Sequence, residues 1–189
     1  MTTRATMAGL IGRLRGMCEA GTADWTLGTV SFWSDEQLQE MLDQHRCDYR
    51  HEQMTGQVTH AAGGSLVWQD YGLGTVDVED GVVIQASLGA TVGTATYTLD
   101  AVRGAVRFAA DTGGSVLWWS GSGYDLNRAA ADVWRRKASH HAAEYGFSTD
   151  NHRIDRGEVY RHCVEMAEVY EARSSAVGDG GSRVVVLRS

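Results

Sequence analysis

Proline is absent from all 189 residues, although about 5% would be ordinary for a soluble protein. Slow prolyl isomerisation is therefore excluded as a folding step. Long hydrophobic runs are also lacking, because no stretch approaches the roughly 18 apolar residues of a membrane-spanning helix. Arg4 and Arg13 interrupt the apolar residues near the N-terminus, so the pattern does not predict a signal peptide.

Cysteine is scarce, and its three positions, Cys18, Cys47 and Cys163, are odd in number and far apart. All three fall in patterns that we interpret as helical. Buried free thiols are therefore favoured over a disulfide framework. A reducing cytoplasm during assembly is consistent with this interpretation.

Basic residues are the minority charge, with 17 Lys and Arg against 24 Asp and Glu, for a formal net charge of −7. A free-standing protein that binds duplex DNA is normally basic, so this balance argues against that class. Arg135, Arg136 and Lys137 form a short basic patch, which we expect on the solvated face of a helix. At this length the chain can bury a hydrophobic core without stabilisation by disulfides or bound metals.

Helical periodicity is clear in the first quarter of the sequence. Apolar residues recur every three or four positions over Thr6–Glu19 and again over Leu38–Tyr49. Ser34 and Gln37 have the spacing of a capping box before the second helix, and Trp33 is placed for a hydrophobic staple. This second helix start is the strongest local structural signal in the sequence.

Two more helical patterns lie within Tyr124–Tyr170. The first carries an Ala-rich apolar stripe that would let another backbone approach closely, and it is predicted to stop near Gly146. The second is predicted to begin at Asp155, with Glu158 completing a capping box. Amphipathic helices joined by about ten residues are expected to pack as an antiparallel hairpin.

The middle of the sequence, from about Gln57 to Trp119, is rich in glycine and β-branched residues and has no helical period. Asp80-Gly81 and Arg103-Gly104 are predicted turns. No helix separates the candidate strands, so an antiparallel lobe is favoured over a βαβ arrangement. The candidate strands are Gln57–His60, Leu66–Gln69, Thr75–Glu79, Val82–Ser87, Thr94–Leu99, Ala105–Ala109 and Val116–Trp119.

These patterns predict an α+β fold, in which a bundle of about four helices carries an inserted antiparallel β lobe and an extended C-terminal tail. The predicted parts are residues 1–55 for the N-terminal helices, 56–120 for the β lobe, 121–173 for the C-terminal helical hairpin, and 174–189 for a flexible linker with a strand-like end.

The strand-like end is the first candidate for a subunit or partner contact. An exposed β-prone segment on a flexible tether is expected to add to the sheet edge of a partner, although an ordinary frayed terminus remains the alternative. Trp118 and Trp119 alternate faces on a strand, so one is expected in the core, and Trp119 is the second candidate contact. The tail residues are Arg183, Val184, Val185, Val186, Leu187 and Arg188.

No catalytic motif emerges from the sequence. Gly121-Ser122-Gly123 lacks the spacing of a nucleophile elbow, and no Cys-x-x-Cys or His-Glu-x-x-His occurs. The residues that could ligate a metal are two pairs in the C-terminal helices, His140 with His141 and His162 with Cys163, but they lack a recognised metal-binding spacing. The sequence therefore predicts no enzymatic activity, no cofactor and no metal.

Three segments resemble the head–tail adaptor (connector) proteins of tailed bacteriophages, a family also found in prophages and gene transfer agents. In that family a Tyr-Asp pair opens an Ala-rich helix, as Tyr124-Asp125 does here. The sequence departs from the pattern where Gly146 precedes Phe147 in place of the common Asp, and where Asp155-Arg156-Gly157 replaces an Arg-Ser-Gln-like turn. The similar segments are Thr6–Tyr49, Tyr97–Phe108 and Tyr124–Arg173.

The resemblance implies a structural virion protein of the neck, at the head–tail interface, assembled in the host cytoplasm. It implies a ring of twelve copies beneath the portal protein, which extends the DNA channel and offers a docking platform to the stopper or tail protein. Packaged DNA would pass without sequence-specific binding, and no membrane is implied. Two other classes remain open: a small soluble α+β enzyme or ligand-binding protein, and another neck protein such as a stopper or tail-completion protein.

Overall fold

A computed structural model of the protein describes residues 2–61, 63–87, 89–143 and 156–178. These ranges hold four α-helices and antiparallel sheets, so the predicted α+β class is confirmed. No helix in them is both long enough and apolar enough to cross a membrane. The helices are α1 (Ala8–Met17), α2 (Asp35–Asp43), α3 (Leu126–Ala143) and α4 (Arg156–Gly178). The strands are β1 (Trp25–Leu27), β2 (Val30–Phe32), β3 (Arg46–Gln53), β4 (Thr55–His60), β5 (Leu66–Gly72), β6 (Val83–Ser87), β7 (Ala90–Thr91), β8 (Tyr97–Asp100), β9 (Ala105–Phe108) and β10 (Trp118–Tyr124).

The chain divides into two compact units. The helical unit comprises Ile11–His45 and the described residues from Asp125 to Gly178, and the β unit comprises Thr2–Leu10 and Arg46–Tyr124. The segment Arg46–Tyr124 is thus inserted within the helical unit, as expected, but it is longer than the predicted 56–120, and Thr2–Leu10 also belongs to the β unit. Within the helical unit, the backbone N–H of Asp125 donates to the carbonyl of His45 at 3.2 Å, so the insertion leaves and rejoins this unit at one place.

The predicted continuation of the second helix to Tyr49 is wrong. Helix α2 ends at Asp43, and the chain then enters β3, which pairs with β10 in the register Tyr49↔Gly121. The ring of Tyr49 stacks on Trp119, 4.9 Å between centroids. This long-range aromatic contact and the strand pairing outweigh the local helical spacing, as tertiary context commonly does.

The β unit contains two four-stranded sheets, in the orders β3-β10-β6-β7 and β4-β5-β9-β8. Side chains of both sheets contribute to one buried core, in which Ile84, Val106 and Trp119 are almost fully enclosed. The predicted turn at Arg103-Gly104 joins the antiparallel pair β8 and β9. The predicted strand Thr75–Glu79 is wrong, since Val78 makes only an isolated bridge and β6 pairs with β10 instead.

Helices α3 and α4 pack antiparallel, as predicted from the sequence. The hydroxyl of Ser174, near the end of α4, donates to Asp125 at the start of α3, and Trp134 in the middle of α3 meets the ring of His162. Helix α4 continues to Gly178, so the predicted linker from Ser174 begins too early. The predicted helix stop at Gly146 and cap at Asp155 lie outside the described residues.

The start of α2 confirms the predicted capping box. The hydroxyl of Ser34 accepts from the backbone N–H of Gln37, and the Gln37 side chain accepts from the backbone N–H of Ser34 at 2.9 Å. Trp33, which precedes the cap, is fully buried. Because the cap satisfies two otherwise unpaired donors, it fixes where this helix begins.

Candidate interaction surfaces

Of the two predicted contact sites, the tail residues Arg183–Arg188 lie outside the described residues, and the assignment of Trp119 is wrong. Trp119 has no exposed surface, and its indole N–H donates to the carbonyl of Leu73 at 3.1 Å. Its neighbour Trp118 is the partly exposed one, and it stacks on His51. The predicted alternation of the two tryptophans is therefore confirmed, but Trp119 is the buried one and Trp118 the partly exposed one, opposite to the prediction.

Lys137 lies in the interior of the helical unit, which corrects its predicted place in a solvated basic patch. Its ammonium group lies 2.9 Å from the carboxylate of Asp24 and donates to the carbonyls of Cys18 and Glu19. The same group sits over the ring of Trp134. These partners satisfy a buried cation and the free carbonyls at the end of α1, so Lys137 has a structural role.

Two of the cysteines are buried as expected, and one is not. Burial raises the pKa of the Cys18 thiol to about 12, against the opposing charge of Lys137, and burial likewise raises the pKa of Cys163. Both thiols are thereby kept protonated and unreactive. Cys47 is exposed on strand β3 instead of lying in a helix, because the segment that contains it pairs with β10.

The histidines considered above as metal ligands contact aromatic rings. His140 stacks on Trp25, 4.4 Å between centroids, and lies beside His141, whereas His162 meets Trp134 edge-on. Over the part of the chain that the structure describes, no group of three His, Cys, Asp or Glu side chains is arranged to hold a metal ion. Ring packing is therefore the geometry observed for these side chains.

A polar network fixes the N-terminal segment within the β unit. Glu79 accepts hydrogen bonds from the hydroxyl of Thr6 at 2.6 Å and the hydroxyl of Tyr124 at 2.6 Å, and it forms an ion pair with Arg4. Burial on its own would raise the pKa of Glu79, but the bonds from Thr6 and Tyr124 and the charge of Arg4 together lower it. Burial and the bond to Glu79 raise the pKa of Tyr124.

The outward face of α3 is basic. Arg128, Arg135 and Arg136 are exposed and follow helical spacing. Arg135 is neutralised locally, because it pairs with Asp132 on its own helix and with Glu171 on α4. The structure describes no ion pair for the side chains of Arg128 and Arg136, which leaves two positive charges facing water.

The outward face of α4 has an excess of acidic side chains, with Arg161 as an exposed basic residue among them, and it is partly apolar. Glu158, Glu165 and Glu168 are exposed at spacings of seven and three residues, and the structure describes no ion pair for any of them. Val159 and Val169 lie among these acids with 38% and 42% of their surface exposed.

The hairpin of β1 and β2 is a third surface, which the sequence-based prediction treated as a loop. Trp25 pairs with Phe32 at its base. At its turn, Leu27 and Val30 have 69% and 48% of their surface exposed, and Gly28 adopts a positive φ of 63°. The short Gly-Thr turn between apolar residues was the available signal.

Comparison of the chain with protein-family profiles, curated proteins and solved structures returned no match. The functional interpretation therefore rests on the chain's own residues. The described chemistry consists of buried structural charge, protonated thiols and packed histidine rings, together with outward faces of opposite charge. Such faces are suited to binding a macromolecule.

Proposed function

We propose that this chain is a head–tail adaptor of a tailed bacteriophage, prophage or gene transfer agent. As a structural, non-enzymatic virion protein of the neck, it would form a ring of twelve copies beneath the portal protein. The ring would extend the DNA channel and provide the docking platform for the next neck or tail protein. Packaged DNA would pass through the ring without sequence-specific contacts.

One observation carries the proposal: a helical unit made from two separate stretches of the chain, with the antiparallel strands of Arg46–Tyr124 inserted between them. This is the arrangement that the resemblance to the adaptor family implies. The Tyr-Asp pair of that resemblance has a physical role here. The carboxylate of Asp125 accepts from the backbone N–H of Arg128, which caps α3, and from the hydroxyl of Ser174 on α4.

The charge of the chain is consistent with a channel protein. At −7 per copy, a ring would carry a large negative charge, and an acidic lumen would repel phosphate so that DNA slides without sticking. The exposed apolar residues of α4 and of the β1–β2 hairpin agree with a protein that functions in contact with other chains.

The test is assembly with the portal protein of the same particle. We expect the purified chain to add to isolated portal rings, giving a ring-on-ring particle in electron micrographs, and its loss to leave filled heads without tails. A chain that never binds the portal, with tailed particles formed in its absence, would overturn the proposal. Binding to the tail end of a preassembled neck instead would indicate a stopper or tail-completion protein. Turnover of a small substrate would indicate an enzyme.

A further inference from the structure

The outward faces of α3 and α4 carry opposite charges, and both belong to the helical unit. Arg128 and Arg136 are exposed on α3, and Glu158 and Glu165 are exposed on α4. We propose that the acidic face of α4 in one copy docks on the basic face of α3 in a second copy of this chain. The inference rests on the proposed ring, because it names the surfaces by which neighbouring copies would meet.

The charges have matching spacings. Arg128 and Arg136 are eight residues apart, about 12 Å along a helix that rises 1.5 Å per residue, and Glu158 and Glu165 are seven residues apart, about 10 Å. Two helices laid side by side can therefore form two ion pairs at once. A pair of simultaneous contacts fixes the register of the helices, which a single contact does not.

A contact of the same kind already exists inside the chain. Arg135 on α3 pairs with Glu171 on α4, so these two helices are joined by arginine and glutamate within one copy. The proposed docking repeats this pairing between copies, using the charges that the described chain leaves unpaired.

Apolar residues make the α4 face more than a charged surface. Val159 and Val169 are exposed among the glutamates, and docking would remove both from water. Burial of apolar side chains adds to the attraction between opposite charges at a protein–protein interface. A DNA partner would match the basic face of α3 but not the acidic and apolar face of α4, so a second copy fits both faces better.

The contact is heterologous, because it joins different surfaces of the two copies. Each added copy leaves one α3 face and one α4 face free, so the arrangement grows until it closes as a ring. Closure would bury every copy's two faces equally. The inference thus states which side of the helical unit points towards each neighbour.

Charge reversal with exchange of partners tests the contact. We expect Arg128→Glu with Arg136→Glu, and separately Glu158→Arg with Glu165→Arg, to raise the Kd of self-association about tenfold or more. Combining all four substitutions in one chain, or mixing the two double variants, should restore association, because opposite charges then face each other again. Arg103→Glu with Arg107→Glu, the same change in charge at two exposed positions of the β unit, is the matched control and should have no effect.

The readout is the mass distribution by sedimentation at low and high salt, with thermal melting to verify that every variant is folded. Association of the wild type should weaken as salt increases. Reversals without effect, reversals that do not rescue each other, or a wild type that stays monomeric would each overturn the contact. Loss of DNA binding as the sole effect of the α3 reversal would assign that face to phosphate and also overturn it.

Failure of this contact and failure of the proposed function give different results. A chain that joins the portal ring but is indifferent to the reversals remains an adaptor whose copies meet elsewhere. A chain whose self-association follows the reversals but that never binds a portal retains the contact and loses the proposed function.

Discussion

Within the helical unit, the ammonium group of the buried Lys137 and the carboxylate of the partly exposed Asp24 lie 2.9 Å apart. One comes from α3 and the other from the segment that follows α1. The pair therefore joins the two distant stretches of sequence from which this unit is built. Lys137 also donates hydrogen bonds to the carbonyls of Cys18 and Glu19, which follow α1, so its removal would leave several polar groups without a partner.

We expect Lys137→Met to lower the free energy of unfolding by about 3 kcal/mol, the lower end for a broken buried ion pair, because Asp24 retains some access to water. Arg136→Met, the same change at the adjacent exposed position, should stay within about 0.5 kcal/mol. Urea titration at a concentration where the chain is monomeric measures both. Equal losses for the two variants would show that Lys137 is not a buried structural cation.

The cap of α2 should contribute measurably to stability. Ser34→Ala removes the hydroxyl that accepts from the backbone N–H of Gln37 and is expected to cost about 0.5–2 kcal/mol. Ser139→Ala is the matched control, because the hydroxyl of Ser139 bonds only to the carbonyl one turn back within α3, where alanine is the better helix former. Melting curves in which both variants match the wild type would contradict the importance of the capping box.

Alanine substitutions at Gly104 and Gly113 can distinguish the energetic cost of backbone strain from that of steric overlap. Both glycines have φ near +60°, so alanine at either position incurs the cost of a left-handed residue, about 1–2 kcal/mol. A Cβ at Gly104 would also lie 1.6 Å from the carbonyl oxygen of Thr75, whereas one at Gly113 would meet nothing within 4 Å. Gly104→Ala should therefore destabilise the β unit well beyond Gly113→Ala, as measured by chemical denaturation.

Glu79 should make the β unit sensitive to acid. Its pKa in the folded chain is lower than its ordinary value of 4.5. The ionised form therefore stabilises the fold above about pH 4.5, and this contribution is lost as the pH falls through the lowered pKa. Glu79→Gln should remove that part of the pH dependence, and Thr6→Val, which removes one donor, should reduce it. Unfolding free energies between pH 3 and pH 7 that run parallel in all three proteins would exclude this role.

The tail prediction from the sequence can be tested without changing the helical or β units. Deletion of Ser182–Ser189 should leave the melting temperature unchanged but lower the yield of assembled necks, because the β-prone segment would no longer add to a partner's sheet edge. Val184→Ser with Val186→Ser keeps the length and should give an intermediate yield. Wild-type yield from the truncated chain would leave the segment as a simple terminus.

The features predicted correctly from the sequence are local ones. The capping box at Ser34 and Gln37 lies within four residues, and the Ala-rich stripe of α3 shows its period directly. The predictions that were wrong concern residues whose positions are set by contacts with residues far away in the sequence. Tyr49 fits a helical spacing until Trp119 is placed beside it, and Lys137 looks like its solvated neighbours until Asp24 is known to lie against it.

The neighbouring residues Trp118 and Trp119 show what periodicity cannot predict, namely which face of a strand is buried. An alternating pattern places two side chains on opposite faces but carries no sign that distinguishes inside from outside. The choice was made by the second sheet, whose side chains join Trp119 in the core of the β unit. Such a choice depends on the arrangement of two sheets, which the spacing of residues in one strand does not encode.

The backbone bond between His45 and Asp125 also has an evolutionary consequence. The inserted segment between these residues therefore begins and ends at the same place on the helical unit. Closing a flexible loop costs only about 0.6 kcal/mol more for each doubling of its length. The helical unit thus places little constraint on the length of the inserted segment. Lineages could lengthen, trim or exchange the β strands between these two residues and keep the same helical scaffold, adapting to a new neighbour without redesigning the rest of the chain.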